Sequence, residues 1–572
     1  MVEGFRNMPT IEASYTDLCK LIGKKLSIEK LKEAIEYAKG EIEAINGDLL
    51  RIEVKDTNRP DLWSAEGIAR EIKGRITKEL GCPKYKVKKS KVVVEVDKKN
   101  AKVRPLTVCA VVRNLKLNES ALSQLIQLQE KVCGTFGRNR KEIALGVYDL
   151  DRIKPPIRFT TVKPNEIKFV PLDFEEELTP REILEKHPKG KEYGHLLAGL
   201  KEYPIFIDSA NEVLSMPPII NSNYSGKVTT KTRNVFIECS GFKFNFLIPA
   251  LNVIVAALAD RGGKIESVKI IYPKIIYPKQ IIYTPDLSPK KAEISIDYIN
   301  KISGFNLSAK EICELLRKAR YDIVKLAKGK IEVMYPAYRQ DIMHARDIVE
   351  DVIISYGYNR IEPIIPKLPT IGKTDEKEVI SNKIAEVMVG LGFQEILSYT
   401  LTDKENLFEK MNLYPSEVIE IENPVSSKWS VFRNWLLPSL LEFLSHNQHL
   451  EYPQKIFEIG KVFIIDEKTE TKTRDILKIA CCISDTKIGY ESISSVLDAF
   501  LSSIGIKYKL KATEHPSFIE GRVAEILIND ESVGIIGEIN PLVLNNFKIE
   551  MPVVAFEIDV ESIIKYKNFR KY

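Results

Sequence analysis

Three acidic residues in the segment PAYRQDIMHARDIVEDVIISYGYNRIEPIIP are spaced so that a helix would bring their carboxylates together. Asp347, Glu350 and Asp351 stand at positions i, i+3 and i+4, which share one face of an α-helix. Asp341 precedes Asp347 in the turn that enters this helix, near enough to fold back over its first turn. Oxygen ligands without histidine or cysteine select Mg²⁺ or Ca²⁺ over zinc. The spacing therefore indicates a site for a hard divalent cation.

A second interpretation of the same acidic residues needs no metal. Acids in the first turn of a helix are stabilised by the helix dipole, at about 0.3–1 kcal/mol each. In addition, Arg339 and Arg346 lie close enough in sequence to neutralise two of the carboxylates. Spacing alone leaves both interpretations open.

The elements that must position such a site belong to a chain too long for one hydrophobic core. Its 572 residues, of which 44% are hydrophobic and 29% charged, fit about three to five domains of ordinary composition. We expect an α+β multidomain protein with domains at 1–80, 81–270, 271–366 and 367–572. The third domain alternates short helices with a strand, like a winged-helix plan, and the fourth reads as a predominantly antiparallel sheet with flanking helices.

The composition of the chain indicates where the protein is located and which partners are compatible with it. The N-terminus lacks a signal-peptide core and no segment has the apolar length of a membrane span, so we expect a cytoplasmic protein that does not contact membranes. The net charge of +6 permits an RNA partner without demanding one. The adjacent Cys481 and Cys482 lie in an apolar strand and are interpreted as packing residues, because no CxxC pair supports zinc.

The acidic segment resembles the winged-helix domain of phenylalanyl-tRNA synthetase β subunits. The resemblance rests on Arg339-x-Asp341, Asp347-Ile-Val-Glu350-Asp351 and Tyr356-Gly357-Tyr358. It implies that Asp341, Asp347, Glu350 and Asp351 bind a Mg²⁺ shared with an α subunit. Asp351 stands where Glu is also common, and a carboxylate is kept.

Further motifs extend the resemblance over the whole chain. They are Asn58-Arg59-Pro60-Asp61 with Glu66-Gly67-Ile68-Ala69-Arg70, Asn423-Pro424, Arg433, Leu436-Leu437-Pro438 and Phe457-Glu458-Ile459-Gly460. The length and the stretch from Arg138 to Asp149 resemble the short archaeal and eukaryotic form. The resemblance implies an α+β editing domain, a winged-helix-like domain and a degenerate class II synthetase-like domain.

The synthetase-like domain is expected to lack aminoacylation chemistry. Class II adenylation uses arginines to offset phosphate charge, one of them beside an acid. Here Arg433 is followed by Asn434-Trp435 where the acid is expected, and the C-terminal segment holds no glycine-rich string with a second arginine. Arg433 is therefore interpreted as structural, or as a contact to the partner subunit.

A hydrolytic editing pocket is implied for the α+β domain. An apolar pocket for phenylalanine rejects tyrosine poorly, so such a synthetase benefits from a second site that recognises the tyrosine hydroxyl. The strings LSMPPIIN and FIECSG supply the candidates. Glu238 and Ser240 point to one face of a strand, with Glu238 to accept the phenolic proton and Ser215, Asn221 and Ser240 to position the ester and a water. His187, His195 and Lys191 are weaker candidates, and an ordinary strand with an exposed polar face is the alternative.

Three functions remain distinguishable at this stage. The first is a non-catalytic β subunit of an (αβ)₂ phenylalanine-tRNA ligase that acts with ATP, Mg²⁺, an α subunit and tRNA(Phe), and that edits Tyr-tRNA(Phe). The second is a stand-alone hydrolase of mischarged tRNA, and the third is a nucleic-acid-binding scaffold. Only the first predicts that the chain depends on a partner.

Overall fold

A computed structural model describes residues 10–566 of the chain. Two compact units divide between residues 364 and 365, and each is described by itself. Within the described range, no helix has both the length and the apolar character that crossing a bilayer requires.

The first unit begins with a three-stranded antiparallel sheet in the order β1-β3-β2, covered by three helices. The elements are β1 (Thr10–Ser14), α1 (Tyr15–Ile22), α2 (Ile28–Glu36), β2 (Gly40–Asn46), β3 (Leu49–Val54) and α3 (Ala65–Ile76). Serine caps each helix N-terminus by accepting a backbone N–H. Ser64 caps α3, while the nearby Asp61 pairs with buried Arg59 at 2.8 Å.

A ten-stranded mixed sheet dominates the first unit, in the order β10-β9-β8-β7-β4-β12-β5-β11-β6 with β13 beside β12. Its strands are β4 (Val87–Val96), β5 (Leu106–Arg113), β6 (Ile143–Asp149), β7 (Ile157–Val162), β8 (Tyr203–Ile207), β9 (Val213–Met216), β10 (Ile220–Asn221), β11 (Val235–Gly241), β12 (Lys264–Ile271) and β13 (Ile281–Thr284). Its helices are α4 (Glu119–Lys131), α5 (Pro180–Lys186), α6 (Pro188–Tyr193), α7 (Asn223–Gly226) and α8 (Phe244–Asp260). Helix α8 packs on β5 and β11, so β11 is buried along its whole length.

The placement of β13 differs from the expected end of this domain at residue 270. In the structure, Ile281–Thr284 pairs antiparallel with β12 and thus completes the large sheet.

The last part of the first unit carries the acidic segment. It contains an antiparallel sheet in the order β14-β16-β15 with three helices packed around one apolar core. The elements are β14 (Lys290–Ser295), α9 (Ile296–Ser303), α10 (Ala309–Lys318), β15 (Asp322–Ala327), β16 (Lys330–Tyr335) and α11 (Ala345–Tyr356).

The second unit is a seven-stranded sheet in the order β17-β20-β21-β25-β24-β23-β22, antiparallel except where β17 joins β20. Its strands are β17 (Gln394–Glu395), β18 (Leu401–Thr402), β19 (Val431–Phe432), β20 (Gln454–Ile465), β21 (Thr473–Ser484), β22 (Lys509–Ala512), β23 (Phe518–Ile528), β24 (Glu531–Ile539) and β25 (Val553–Asp559), with β18 and β19 forming a separate pair. Its helices are α12 (Glu376–Gly390), α13 (Leu437–His446), α14 (Tyr490–Ser503), α15 (Pro541–Phe547) and α16 (Val560–Tyr566).

Helices cover both faces of this sheet. Residues of α12, α14 and α16 pack on one face and residues of α13 and α15 on the other. Because side chains alternate along a strand, Cys481 packs on the face covered by α12, α14 and α16, and Cys482 packs on the face covered by α13 and α15. Both thiols are buried and form no disulfide. The interpretation of these cysteines as packing residues is confirmed.

Candidate functional site

A cavity of about 420 Å³ opens beside the large sheet, between helix α4, strand β6 and the β9–β10 hairpin. Aliphatic residues of α4 and β6 form much of its wall, including Leu125, Leu145 and Val147. The polar residues Ser215, Asn221 and Glu238 are set into this apolar wall. A mostly apolar cavity with a few convergent polar groups is the usual form of a small-molecule site.

The sheet register brings these polar residues together. Ser215 of β9 is paired with Asn221 of β10 across the hairpin. Glu238 lies in the middle of β11, between Cys109 of β5 and Gly146 of β6. Three of the four predicted editing residues therefore line one cavity, although they come from different parts of the sequence.

The hydroxyl oxygen of Tyr148 joins the three cavity residues. It lies 2.8 Å from Ser215 Oγ, 3.1 Å from Glu238 Oε1 and 3.3 Å from Asn221 Oδ1. Tyr148 itself is completely buried in β6. The sequence alone indicates no role for Tyr148, because a tyrosine in an apolar strand usually belongs to the core.

Glu238 is a carboxyl group in an unusual state. Burial raises its pKa to about 8, and the opposing contacts with Tyr148, Arg104 and Ser240 compensate only in part. Its Oε2 atom is buried and has no hydrogen-bond partner among the described residues. At neutral pH the group is therefore largely protonated, with one oxygen still unpaired.

Ser240 takes a different position from the one expected. Its side chain is fully buried, it is not among the residues that line the cavity, and its Oγ accepts a hydrogen bond from Arg104 Nε at 3.1 Å. Arg104 Nη2 also donates to the Ser240 carbonyl oxygen at 2.6 Å. Ser240 is near enough to lower the pKa of Glu238, but the pair does not reach hydrogen-bond geometry. Ser240 is thus a buried structural residue next to the cavity.

Cations and one histidine surround the cavity mouth. Arg140 Nη1 donates to the carbonyl oxygens of Pro218 and Ile219 at 3.2 and 2.8 Å, which holds the hairpin turn in place. Lys189 and Lys227 also line the cavity. His187 lines it too, and its two ring nitrogens contact the Leu172 carbonyl and the Lys189 N–H.

The other two weak candidates lie elsewhere. His195 bonds to the Glu192 carbonyl oxygen through Nδ1 at 3.1 Å, and neither His195 nor Lys191 is among the residues that line the cavity.

The four acidic residues predicted to bind a metal are each bound to protein groups. Asp341 accepts from Arg339 Nε at 2.8 Å, and Asp351 Oδ2 accepts from Arg339 Nη2 at 2.9 Å. Although burial opposes ionisation, Arg339 and Arg59 hold the pKa of Asp341 well below its ordinary value.

The remaining two acids lie nearer the surface. Asp347 Oδ2 accepts from the backbone N–H groups of Met343 and His344, at 2.8 and 2.6 Å, which caps helix α11. Glu350 accepts from Lys39 Nζ at 2.9 Å with about half of its side chain exposed.

These carboxylates do not form a ready-made metal site. Over residues 10–566, no group of three or more acids, histidines or cysteines is arranged to hold a metal ion. Arg339 pairs with both Asp341 and Asp351, and Lys39 pairs with Glu350, so three of the four carboxylates are already bound to cationic side chains of the protein. As placed, the residues do not fit a bound Mg²⁺.

Arg433 has a structural environment in the second unit. Its Nη1 lies 2.8 Å from Glu458 Oε1, both side chains are almost completely buried, and Nε donates to the Lys461 carbonyl oxygen at 2.9 Å. Ser398 bridges the pair, donating to Glu458 and accepting from Arg433. The guanidinium is thus bound within the fold through Nε and Nη1, in keeping with the structural interpretation.

Comparisons with known proteins give one consistent result. Three family models match successive parts of the chain: the B3/4 domain over residues 89–246, the tRNA synthetase B5 domain over 292–358, and the phenylalanyl tRNA synthetase beta chain CLM domain over 361–560. The matched B3/4 range contains the cavity residues, and the B5 range contains the four acids.

Curated relatives align over nearly the entire chain. The phenylalanine–tRNA ligase beta subunit of Pyrococcus horikoshii is 50% identical over 98% of this chain and 100% of its own length. That of Pyrococcus abyssi is 51% identical over 96% of this chain and 99% of its own.

A solved structure resembles the first unit. The crystal structure of an N-terminal fragment of the phenylalanyl-tRNA synthetase beta subunit from Pyrococcus horikoshii is 52% identical, with a TM-score of 0.59. The match covers 61% of this chain and all of that fragment.

Proposed function

This chain belongs to the phenylalanyl-tRNA synthetase β-subunit family, and from that premise we propose that it is the non-catalytic β subunit of an (αβ)₂ ligase that also edits Tyr-tRNA(Phe). The complex converts ATP, L-phenylalanine and tRNA(Phe) to Phe-tRNA(Phe), AMP and pyrophosphate. The α subunit carries the aminoacylation site, and this chain supplies the hydrolytic site and much of the assembly.

The unpaired, buried oxygen of Glu238 carries the editing proposal. A carboxyl group that the fold leaves without a hydrogen-bond partner costs free energy unless a ligand supplies the partner. The surrounding wall of Leu125, Leu145 and Val147 suits an aromatic ring. An aromatic amino acid with a hydroxyl group matches both features.

Selectivity follows from the same atom. The phenol of tyrosine donates a hydrogen bond to Glu238, whereas phenylalanine would bury that oxygen still unpaired. A site built to hydrogen-bond the tyrosine hydroxyl rejects phenylalanine strongly, because its polar group would stay unpaired. An apolar pocket for phenylalanine rejects tyrosine much less strongly. The cavity is therefore suited to remove tyrosine and to spare phenylalanine.

The reaction is hydrolysis of the ester between tyrosine and the terminal ribose of tRNA. The water oxygen bonds to the carbonyl carbon, the bond from that carbon to the ribose oxygen breaks, and the ribose oxygen takes a proton. Ser215 and Asn221, on the hairpin beside Glu238, would orient the ester. Lys189 and Lys227, which also line the cavity, suit the phosphates of the acceptor end.

Mg²⁺ binding at Asp341, Asp347, Glu350 and Asp351 stays a prediction from the family resemblance. For all four to act as ligands, Asp341 and Asp351 would have to leave Arg339, and Asp347 would have to leave the backbone of the α11 N-terminus. We propose that any such site forms only with the α subunit present.

Glu238→Leu tests the editing function in the reconstituted complex. Loss of the acceptor is expected to lower kcat/KM for Tyr-tRNA(Phe) hydrolysis by about 10- to 100-fold, since one buried hydrogen bond contributes about 1–3 kcal/mol. Aminoacylation with phenylalanine should be unchanged. Glu95→Leu, the same change at an exposed position in β4 of the same sheet, is the matched control. Equal hydrolysis by both variants and the wild type would rule out this site.

A further inference from the structure

We propose that Tyr148 is a positioning residue of the editing site, which holds the Glu238 carboxyl so that Oε2 is presented to the phenol of the substrate. This inference rests on the proposed editing function. Tyr148 is buried and is not among the residues that line the cavity, so it acts through Glu238.

Gly146 has no side chain, and this leaves room for the Tyr148 hydroxyl to reach Glu238. Tyr148 and Gly146 point to the same face of β6, and Gly146 is the register partner of Glu238 on β11. A Cβ atom at Gly146 would lie 2.0 Å from the Tyr148 hydroxyl oxygen. The glycine therefore leaves space for the tyrosine to lean along its own strand towards the carboxyl group.

The Tyr148 hydroxyl reaches Glu238 as a hydrogen-bond donor. It donates to Glu238 Oε1 at 3.1 Å, and Ser215 Oγ and Asn221 Oδ1 lie 2.8 and 3.3 Å from the same hydroxyl oxygen. These contacts hold the hydroxyl beside Oε1.

The Tyr148 phenol keeps the proton that it donates, since burial raises the pKa of Tyr148 well above its ordinary value. Burial also raises the pKa of Glu238 to about 8, and the hydrogen bond from Tyr148 opposes that rise. The contact therefore bears on both the orientation and the pKa of the carboxyl group.

The two carboxyl oxygens of Glu238 therefore have different roles. Oε1 accepts the hydrogen bond from Tyr148, and Oε2 remains for an incoming phenol. Without Tyr148, the carboxyl group could rotate and turn Oε2 away from the substrate.

Tyr148→Phe in the reconstituted complex tests the inference, because it removes the hydroxyl and keeps the ring. We expect KM for Tyr-tRNA(Phe) hydrolysis to rise about tenfold with a smaller change in kcat, and selectivity against Phe-tRNA(Phe) to fall. The inflection that Glu238 gives to the pH profile should move to higher pH, since the hydrogen bond from Tyr148 lowers the pKa of Glu238. A purely structural role would leave that inflection in place.

Two further variants make the result specific. Tyr272→Phe removes another buried hydroxyl of the same domain, one that is bonded to Thr107 outside the cavity, and should change neither KM nor the inflection. Gly146→Ala keeps the Tyr148 hydroxyl but displaces it, and should shift both measurements in the same direction as Tyr148→Phe.

The outcomes separate this inference from the proposed function. Wild-type KM, selectivity and pH inflection in Tyr148→Phe, in a complex where Glu238→Leu loses hydrolysis, would overturn the role of Tyr148 alone. A wild-type complex that does not hydrolyse Tyr-tRNA(Phe) would overturn both.

Discussion

Keeping Glu238 buried makes stability depend on pH. Its ordinary pKa of 4.5 applies in the unfolded chain, and burial raises the pKa to about 8 in the fold. Between these values the unfolded state loses the proton and the folded state keeps it, so stability falls as pH rises. Across that pH range, the free energy of unfolding decreases by up to about 1.4 kcal/mol per pH unit.

Glu238→Gln should therefore stabilise the protein increasingly from pH 5 to pH 8, because a neutral amide of the same size does not ionise in either state. The measurement is the difference in Tm between variant and wild type at several pH values. Glu95→Gln, at an exposed position, should show no such trend. A difference that stays constant with pH would mean that Glu238 is not held protonated.

The buried pair of Arg433 and Glu458 gives a second prediction at this scale. Removing one partner leaves the other charge buried, which costs about 3–5 kcal/mol. Arg433→Met should thus lower Tm strongly, and the double variant Arg433→Met/Glu458→Gln should be less destabilised than Arg433→Met. A double variant with the sum of both single losses would contradict the pairing. ATP–pyrophosphate exchange by the assembled complex should persist in the double variant.

Part of the candidate site was predicted from the family resemblance together with the residue types. The resemblance pointed to this domain, and Ser215, Asn221 and Glu238 are polar side chains that interrupt its apolar strands. Tyr148 was not predicted, because its role depends on Gly146 two positions earlier and on a register between β6 and β11, which are far apart in sequence. The spacing Gly-x-Tyr indicates a tyrosine that contacts a buried acid only when the pairing of the two strands is known.

At the scale of elements, helix α11 shows why spacing predicted a carboxylate cluster that the fold does not assemble. The helix exists, and its acids follow the expected i, i+3, i+4 pattern. Their partners, however, come from outside the segment: Lys39 is more than 300 residues away from Glu350, and Arg59 is close to Asp341. Such tertiary partners cannot be inferred from local spacing.

Capping and metal binding make different predictions for Asp347. As a cap, it contributes about 1 kcal/mol without any metal, so Asp347→Ala should lower Tm equally in EDTA and in Mg²⁺. Glu350→Ala, which removes an exposed ion pair, should cost less than about 1 kcal/mol. A Mg²⁺-dependent rise in Tm of the wild-type chain alone, lost in Asp347→Ala, would show that the four acids rearrange around a metal without the α subunit.

At the scale of the whole molecule, the second unit exposes large apolar side chains that a solitary domain would bury. Leu397, Tyr399, Tyr414 and Val425 are each between 73% and 95% exposed. Leu397 and Tyr399 lie just before β18, and Val425 lies just before β19, its pairing partner. Large apolar side chains exposed around one pair of strands favour an interaction site there. We assign it to the α subunit, the partner implied by membership of the family.

Leu397→Asp should therefore weaken assembly with the α subunit by at least about tenfold, since burying an unpaired charge at an interface costs more than about 1.4 kcal/mol. Sedimentation of the mixed subunits measures the loss, and aminoacylation should decline in parallel. Tyr-tRNA(Phe) hydrolysis per β subunit at saturating tRNA should decline less, because the cavity lies entirely within the first unit. Ile275→Asp, at a position 79% exposed in the first unit, should leave assembly intact. Normal assembly by Leu397→Asp would place the α subunit on another surface of the chain.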